Sequence, residues 1–383
     1  MRSVVVAKFV PTPPNSGDKR RTLGIVRALR ELGPVTLCAF AGPDEDVAAL
    51  TAEGIDVRAV PLRRRPADLA GGLARSRSLT AARFWDGELA RQVAEAVEED
   101  TDVLLVEHVQ LLPYARGLRA GHRVLDMHNI ESSLTARTAR TSSGLRRVVL
   151  AAEARALRAM ERRVTDVDVI AVVSDGDRTA LQELVSHPRV VVVPNAWDAS
   201  RPLPAAEGPV ASFVALLSWT PNVQAAVWFC TEVWPRVVAD VPDARLQLVG
   251  RNPTDEVRAL AGASVEVTGT VPDLDPWYAR TRVALAPLLA GGGSRLKILE
   301  ALAAGRPVVS TAIGVEGLED LVGRGVVVAD DPAQMAREVA ALLTDPARSE
   351  RLGLQGAEAV DADHSWRAAV QPLLAQLQGG TPA

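Results

Sequence analysis

Lysine is nearly missing from this chain. Of 43 lysines and arginines only three are lysines, Lys8, Lys19 and Lys297. An arginine bias this strong reads as lysine lost to codon usage, so each survivor invites the question of why it stayed. Cysteine is scarce too. Cys38 and Cys230 stand far apart inside apolar runs, which excludes a disulfide framework and any metal-ligand spacing between them. Both are expected to be buried free thiols in a reducing compartment. No apolar run approaches the length of a transmembrane helix. The apolar start over residues 1–10 is broken at Lys8 and is too short for a signal peptide, so it reads as a first buried strand. A cytoplasmic protein is expected, peripheral to a membrane at most. A net charge of −4 and a pI near 5.9 argue against nucleic acid as the main partner. No Gly-x-Gly-x-x-Gly follows the first strand, which argues against a dehydrogenase.

What is present is an ordinary globular composition, 48% hydrophobic and 23% charged, over 383 residues. That length suits two domains. The most informative stretch is Gly291-Gly292-Gly293-Ser294-Arg295-Leu296-Lys297-Ile298-Leu299-Glu300 and its continuation to Val309. Before it, residues 283–286 form a short apolar run closed by Pro287. After it come helix formers to Ala304, then Gly305 in a C′ position, then the apolar Val308-Val309. The pattern predicts strand, glycine loop, helix, turn and strand. Glycines ahead of a helix let backbone N–H groups approach an anion, and the helix N-terminus adds positive potential. Arg295 and Lys297 lie in the first turn, and Glu300 follows Lys297 one turn on. Such a set suits a diphosphate with a hydroxylated ring beside it. Lys297 also reads as an ordinary solvated helix lysine; the glycine-rich context favours the phosphate.

Elsewhere the chain alternates strand and helix. Residues 4–7 predict a parallel strand, followed by a Pro-rich loop ending at Gly17 and a helix over about 19–32. This is the first βα unit of a doubly wound sheet, with Gly17 offering backbone approach to a ligand and Lys19 or Arg20 nearby. Strands at 103–106 and 124–127 end in Glu107-His108 and in His128-Asn129-Ile130-Glu131, delivering polar groups to the sheet's carboxyl edge. Residues 63–80 are basic and poorly patterned, suggesting a surface loop or short helices. Residues 144–164 predict a long helix. Leu145, Val148, Val149, Ala152, Ala156, Met160 and Val164 are assigned to one side and Arg146, Arg147, Arg155, Arg158, Arg162 and Arg163 to the other. It reads either as a solvated basic face or as a surface for anionic lipid. Residues 201–209 look like a linker.

Residues 212–318, and most specifically 287–309 followed by Ser310-Thr311 and Gly314-Val315-Glu316-Gly317-Leu318, resemble the donor-binding domain of retaining, nucleotide-sugar-dependent glycosyltransferases of family 4. The resemblance extends less tightly over the N-terminal half. It implies the α/β GT-B fold, two Rossmann-like doubly wound domains facing a central cleft. An N-terminal acceptor domain over 1–200 and a donor domain over 208–363 are expected, with a last helix at 365–378 packing back on the first. The implied reaction moves a sugar from an NDP-sugar to a hydroxyl acceptor, whether a glycan, a lipid-linked group or a small molecule. NDP-sugar would be a substrate, with no cofactor and no metal. In this reading Arg295 and Lys297 stabilise the leaving diphosphate, with Arg251 a third cation and Gly17, Gly292, Gly293 and Ser294 offering backbone contact. Glu300 would hold the ribose, the segment at Val271 the base, and His128, preferred over His108, the donor sugar.

Two departures from the family pattern bear on this. Gly292 stands where the family commonly has a second glutamate, and Ser218-Trp219-Thr220-Pro221-Asn222 replaces the usual Arg and Lys after the domain's first strand. Gly292 motivates one alternative, a non-catalytic subunit that binds nucleotide sugar; an NDP-sugar 2-epimerase of the same fold is another, with no dense set of catalytic carboxylates to support it. Five Asp-x-Asp triplets, beginning at Asp44, Asp166, Asp175, Asp273 and Asp361, fall in predicted caps and loops and read as chance.

Overall fold

The computed structural model describes residues 1–43, 45–63, 65–198, 200–290 and 295–379. The chain divides into two compact units, Met1–Pro194 with Ala369–Ala383, and Asn195–Ala368.

The first unit is built on seven parallel strands, β1 (Ser3–Phe9), β2 (Val35–Ala41), β3 (Asp56–Pro61), β4 (Val103–Glu107), β5 (His122–Met127), β6 (Val169–Val172) and β7 (Val190–Val192). Their order across the sheet is β3-β2-β1-β4-β5-β6-β7. The order reverses between β1 and β4, as in a doubly wound sheet. Val4, Val5 and Val6 of β1 are fully buried, because helices cover both faces of the sheet and leave no polar side to alternate with. One face packs Val4, Val6, Phe40, Leu89 and Leu104; another apolar cluster gathers Leu125, Met127, Ile170 and Leu181.

The second unit repeats the plan with six parallel strands, β8 (Val210–Val214), β9 (Arg245–Val249), β10 (Val265–Gly269), β11 (Val283–Ala286), β12 (Val308–Ser310) and β13 (Val326–Val328). Their order is β10-β9-β8-β11-β12-β13, reversing between β8 and β11. Phe213, Phe229, Trp234, Leu246 and Met335 form the core on one side. Ile298, Leu302, Val308 and Tyr278 form it on the other.

One expectation is narrowed and one needs correction. Of the loop and the short helices expected over residues 63–80, the helices form: Pro66–Ser76 has Pro at its first turn and Arg77 closing it in the left-handed conformation, and Leu79–Ala82 follows. The helix Gly144–Glu161 turns a different face to the core than its apolar residues suggest. Glu153, Ala154, Leu157, Met160 and Glu161 are buried, whereas Leu145, Val148 and Val149 are 79%, 64% and 43% exposed. The two glutamates explain the inversion. Glu153 caps another segment, accepting from Ser78 Oγ and the backbone N–H of Leu79 and Thr80. Glu161 accepts from the Ser132 N–H at 3.0 Å. A polar residue whose partners come from elsewhere in the chain is buried without an apolar signature.

Candidate functional site

In a doubly wound sheet, ligands bind beyond the strand carboxyl ends where the strand order reverses. Each unit has a polar cluster at that place.

In the second unit the reversal separates the loop after β8 from the segment after β11. Two close approaches shape this edge. A Cβ on Gly250, at the end of β9, would lie 1.6 Å from the Ala215 carbonyl oxygen. Only glycine lets the loop after β8 pass there, and Leu217 N then donates to Arg251 O at 3.0 Å. Gly314 plays the same part at the end of β11, where a Cβ would lie 2.2 Å from Ala286 O.

Onto this edge the helix Leu296–Ala303 brings Lys297. Its Nζ donates to Asn222 Oδ1 at 2.7 Å and lies 4.7 Å from the centre of the Phe213 ring. Asn222, 3% exposed, comes from the first turn of the helix Thr220–Trp228, and its Nδ2 donates to Leu216 O at 2.9 Å. That bond fixes the amide so that its oxygen faces the lysine. Burial, with neighbouring Arg295 adding to it, pushes the Lys297 ammonium down to about 7. No carboxylate pairs with Lys297 among the described residues.

Arg295 is buried, donating to Ile313 O at 2.7 Å and to Glu316 Oε2 at 3.1 Å. Burial lowers it from the usual arginine range. Glu300 lies one turn beyond Lys297, where the buried Tyr278 hydroxyl reaches its Oε2 at 3.4 Å. Arg251 is exposed, and Val271, partly buried, follows β10 just past Gly269, whose carbonyl accepts from Gly250 N at 3.2 Å. Lys297, Arg295 and Glu300 therefore share one short helix and its cap. Gly292, Gly293 and Ser294 lie outside the described residues.

The first unit's reversal lies between β1 and β4, and its cluster is denser. Arg21, 1% exposed on the helix Gly17–Leu32, forks onto both oxygens of Asp126, with Nε to Oδ2 at 2.7 Å and Nη2 to Oδ1 at 2.5 Å. Its third nitrogen donates to Val193 O at 2.7 Å. The pair holds the Asp126 carboxylate charged despite full burial, well below its usual range. His128 Nε2 lies 3.1 Å from Asp126 Oδ2, close in distance but not aligned as a hydrogen bond. The His128 ring packs on His108, centroids 3.8 Å apart. Burial lowers both imidazoles: His108 strongly, with His128, Lys8 and Arg21 adding to it, and His128 against the opposing pull of Asp126, with Arg21 and Lys8 adding to the lowering. Both are neutral at pH 7. Glu107 accepts from the Thr22 hydroxyl, and burial beside Asp126 pushes its carboxyl well above the usual range, so it is held as the acid.

Glu107, Asp126 and His128 each bring one ligand atom within 4.8 Å of the others. Both Asp126 oxygens already carry the Arg21 guanidinium, and a cation there would have to displace a buried bidentate pair. Gly17 opens the helix Gly17–Leu32, and Lys19 is paired with Glu45 at 3.0 Å, its charge taken within the unit. Among the Asp-x-Asp triplets, Asp168 accepts from Arg123 N, Asp177 sits in the first turn of a helix beside Ser174, Asp273 accepts from Asp275 N, and Asp361 accepts from Ser200 N. The first three sit at caps and turns, whereas Asp361 lies in the last turn of the helix Pro346–Asp363; Asp44 lies outside the described residues.

Sequence reasoning did not assign roles to Asn222, Arg21 or Thr22. Asn222 carried a usable signal, an asparagine just after a Pro in the first turn of a helix beyond a strand end. Arg21 carried none.

Residues 208–345 match the family described as Glycosyl transferases group 1. D-inositol 3-phosphate glycosyltransferase 1 of Catenulispora acidiphila is 39% identical over 117 residues, 28% of this chain and 27% of that protein. Phosphatidyl-myo-inositol mannosyltransferase of Mycobacterium leprae is 34% identical over 133 residues, 33% of this chain and 36% of that protein. The matched stretches thus span little more than a third of these curated relatives at most. Among solved structures, Anabaena HepE in complex with UDP and glucose aligns over 99% of this chain and 100% of its own at a TM-score of 0.66 and 15% identity. The chain has the GT-B fold, two doubly wound α/β domains.

Proposed function

We propose that this protein is a retaining glycosyltransferase that moves a sugar from an NDP-sugar to a hydroxyl acceptor. The observation that carries the reading is the Lys297–Asn222 pair at the strand reversal of the second unit, within the stretch that matches Glycosyl transferases group 1. A lysine with no carboxylate partner among the described residues, held against an aromatic ring, has unmet affinity for an anion. A diphosphate meets that need.

In the reaction the bond from the sugar's anomeric carbon to the diphosphate oxygen breaks, and the nucleoside diphosphate leaves with the electron pair. A new bond forms from the same carbon to the acceptor oxygen, whose proton is released. Lys297 and Arg295 offset the charge that develops on the leaving group. Glu300, with the Tyr278 hydroxyl 3.4 Å from its Oε2, is the group proposed to accept from ribose hydroxyls. His128, kept neutral by burial, is the group proposed to contact the donor sugar.

The testing experiment is a calorimetric screen of nucleoside diphosphates and their sugars against wild type, Lys297→Ala and Glu300→Ala. At least one donor binds wild type, and Lys297→Ala weakens it by about tenfold or more, since charge-assisted bonds contribute about 1.5–3 kcal/mol each. Donor binding unchanged in both variants would sink the assignment. Sugar transfer to a supplied acceptor then separates an enzyme from a subunit that only binds.

A further inference from the structure

The hairpin of helices Glu131–Thr141 and Gly144–Glu161 leaves a large apolar surface uncovered. Leu134, Leu145, Val148 and Val149 are 43%, 79%, 64% and 43% exposed. Leu145, Val148, Val149 and the exposed Ala152 follow helical spacing and form one stripe. The stripe lies off the buried side defined by Ala154, Leu157 and Met160, so it is a second face of the same helix.

Charge around the stripe has one sign. Residues 131–163 hold eight arginines and three glutamates. Arg137, Arg140, Arg146, Arg147, Arg155, Arg158, Arg162 and Arg163 are all exposed. None pairs with a carboxylate among the described residues. Two of the glutamates are withdrawn: Glu153 onto the Ser78–Thr80 segment and Glu161 onto the Ser132 N–H. What reaches solvent is Leu and Val flanked by arginine.

We infer that this hairpin docks the protein on an anionic lipid bilayer, the Leu145–Val148–Val149 stripe entering the interface while the flanking arginines meet lipid phosphates. Both halves of the surface are needed for that occupant. Apolar side chains gain by leaving water for the acyl boundary, and arginines gain at a negative surface. A nucleic acid would satisfy the arginines and leave the aliphatic stripe wet. No helix among the described residues is long and apolar enough to cross a membrane, so the contact is peripheral. This inference does not depend on the sugar chemistry proposed above.

The full chain would be sedimented with vesicles of phosphatidylcholine alone and of phosphatidylcholine mixed with phosphatidylglycerol. Wild type is expected to sediment with the anionic vesicles and not with the neutral ones, and to be released as salt rises from about 0.1 M to about 1 M. The double variants Leu145→Ser/Val148→Ser and Arg146→Ser/Arg147→Ser should each lose about tenfold or more of vesicle affinity. Their far-ultraviolet spectra and melting midpoints should stay those of wild type, since these side chains are exposed. Equal sedimentation with both vesicle types, or none with either, overturns the inference. So does unchanged vesicle binding by either double variant, or a dimer that Leu145→Ser/Val148→Ser converts to monomer, which would assign the stripe to a second copy of the chain.

Discussion

A lysine ammonium with an amide oxygen, a phenyl ring and a guanidinium for company is a strained charge. Lys297 has those neighbours, and its affinity for a proton falls to about 7. Nucleotide binding should therefore be linked to protonation. A diphosphate beside Nζ favours the charged form, so above pH 7 the free protein should take up a proton as the proposed nucleoside diphosphate binds. Affinity should fall by up to about tenfold per pH unit above 7 until the bound state also titrates. Calorimetry in buffers of different ionisation enthalpy reads that uptake, and Lys297→Ala should abolish it. The same lysine leaves a mark on stability. Unfolded, it titrates near 10.4; folded, near 7. Between those values the unfolded chain binds the proton that the folded chain has released, so its contribution to stability rises with pH across this window. The penalty is largest below pH 7. Lys297→Met should raise the urea midpoint relative to wild type more at pH 6 than at pH 9; an offset independent of pH would contradict the burial of the ammonium.

Elements meet at this edge through contacts that allow little substitution. Gly250→Ala sets a methyl 1.6 Å from Ala215 O. The loop after β8 must then move, taking Leu217, and with it the segment that carries Asn222, out of place. A loss at or above the upper end of about 1–3 kcal/mol is expected in denaturant unfolding, with UDP affinity falling too. In the first unit, Arg21→Met strands the Asp126 carboxylate at 0% exposure and should cost about 3–5 kcal/mol, whereas Arg21→Met with Asp126→Leu should recover much of that loss. These elements also mark what could be read in advance. The strands and the helix around 283–309 were legible because their signals are local: an apolar run, helix formers and a C′ glycine; the glycine loop between them lies outside the described residues. Glu107 and His128 were legible as strand-end residues for the same reason. The Lys297–Asn222 contact joins residues 75 apart and Arg21–Asp126 residues 105 apart, distances over which no local propensity speaks. The face of the helix Gly144–Glu161 was misread because its two buried glutamates are satisfied by Ser78–Thr80 and Ser132, partners that only the fold supplies.

On the scale of the whole molecule, the two units carry separate sheets and separate cores, and the tryptophans are divided unevenly between them. Trp85 alone lies in the first unit; Trp197, Trp219, Trp228, Trp234, Trp277 and Trp366 lie in the second. Indole fluorescence therefore follows mainly the unit that holds Lys297. Trp219, 40% exposed, N-caps the helix that carries Asn222, so it should respond to a nucleotide directly. A ligand bound only by the folded second unit stabilises it by RT ln(1 + [L]/Kd), about 2.7 kcal/mol at a hundredfold excess over Kd. The fluorescence-detected melting midpoint should thus rise in saturating UDP, and Trp219→Phe should diminish the isothermal change in emission without removing the shift in midpoint. In Lys297→Ala the midpoint should no longer move at the same UDP concentration. A midpoint shift of undiminished size in that variant would place the nucleotide somewhere other than the strand reversal between β8 and β11, whatever else the protein does with it.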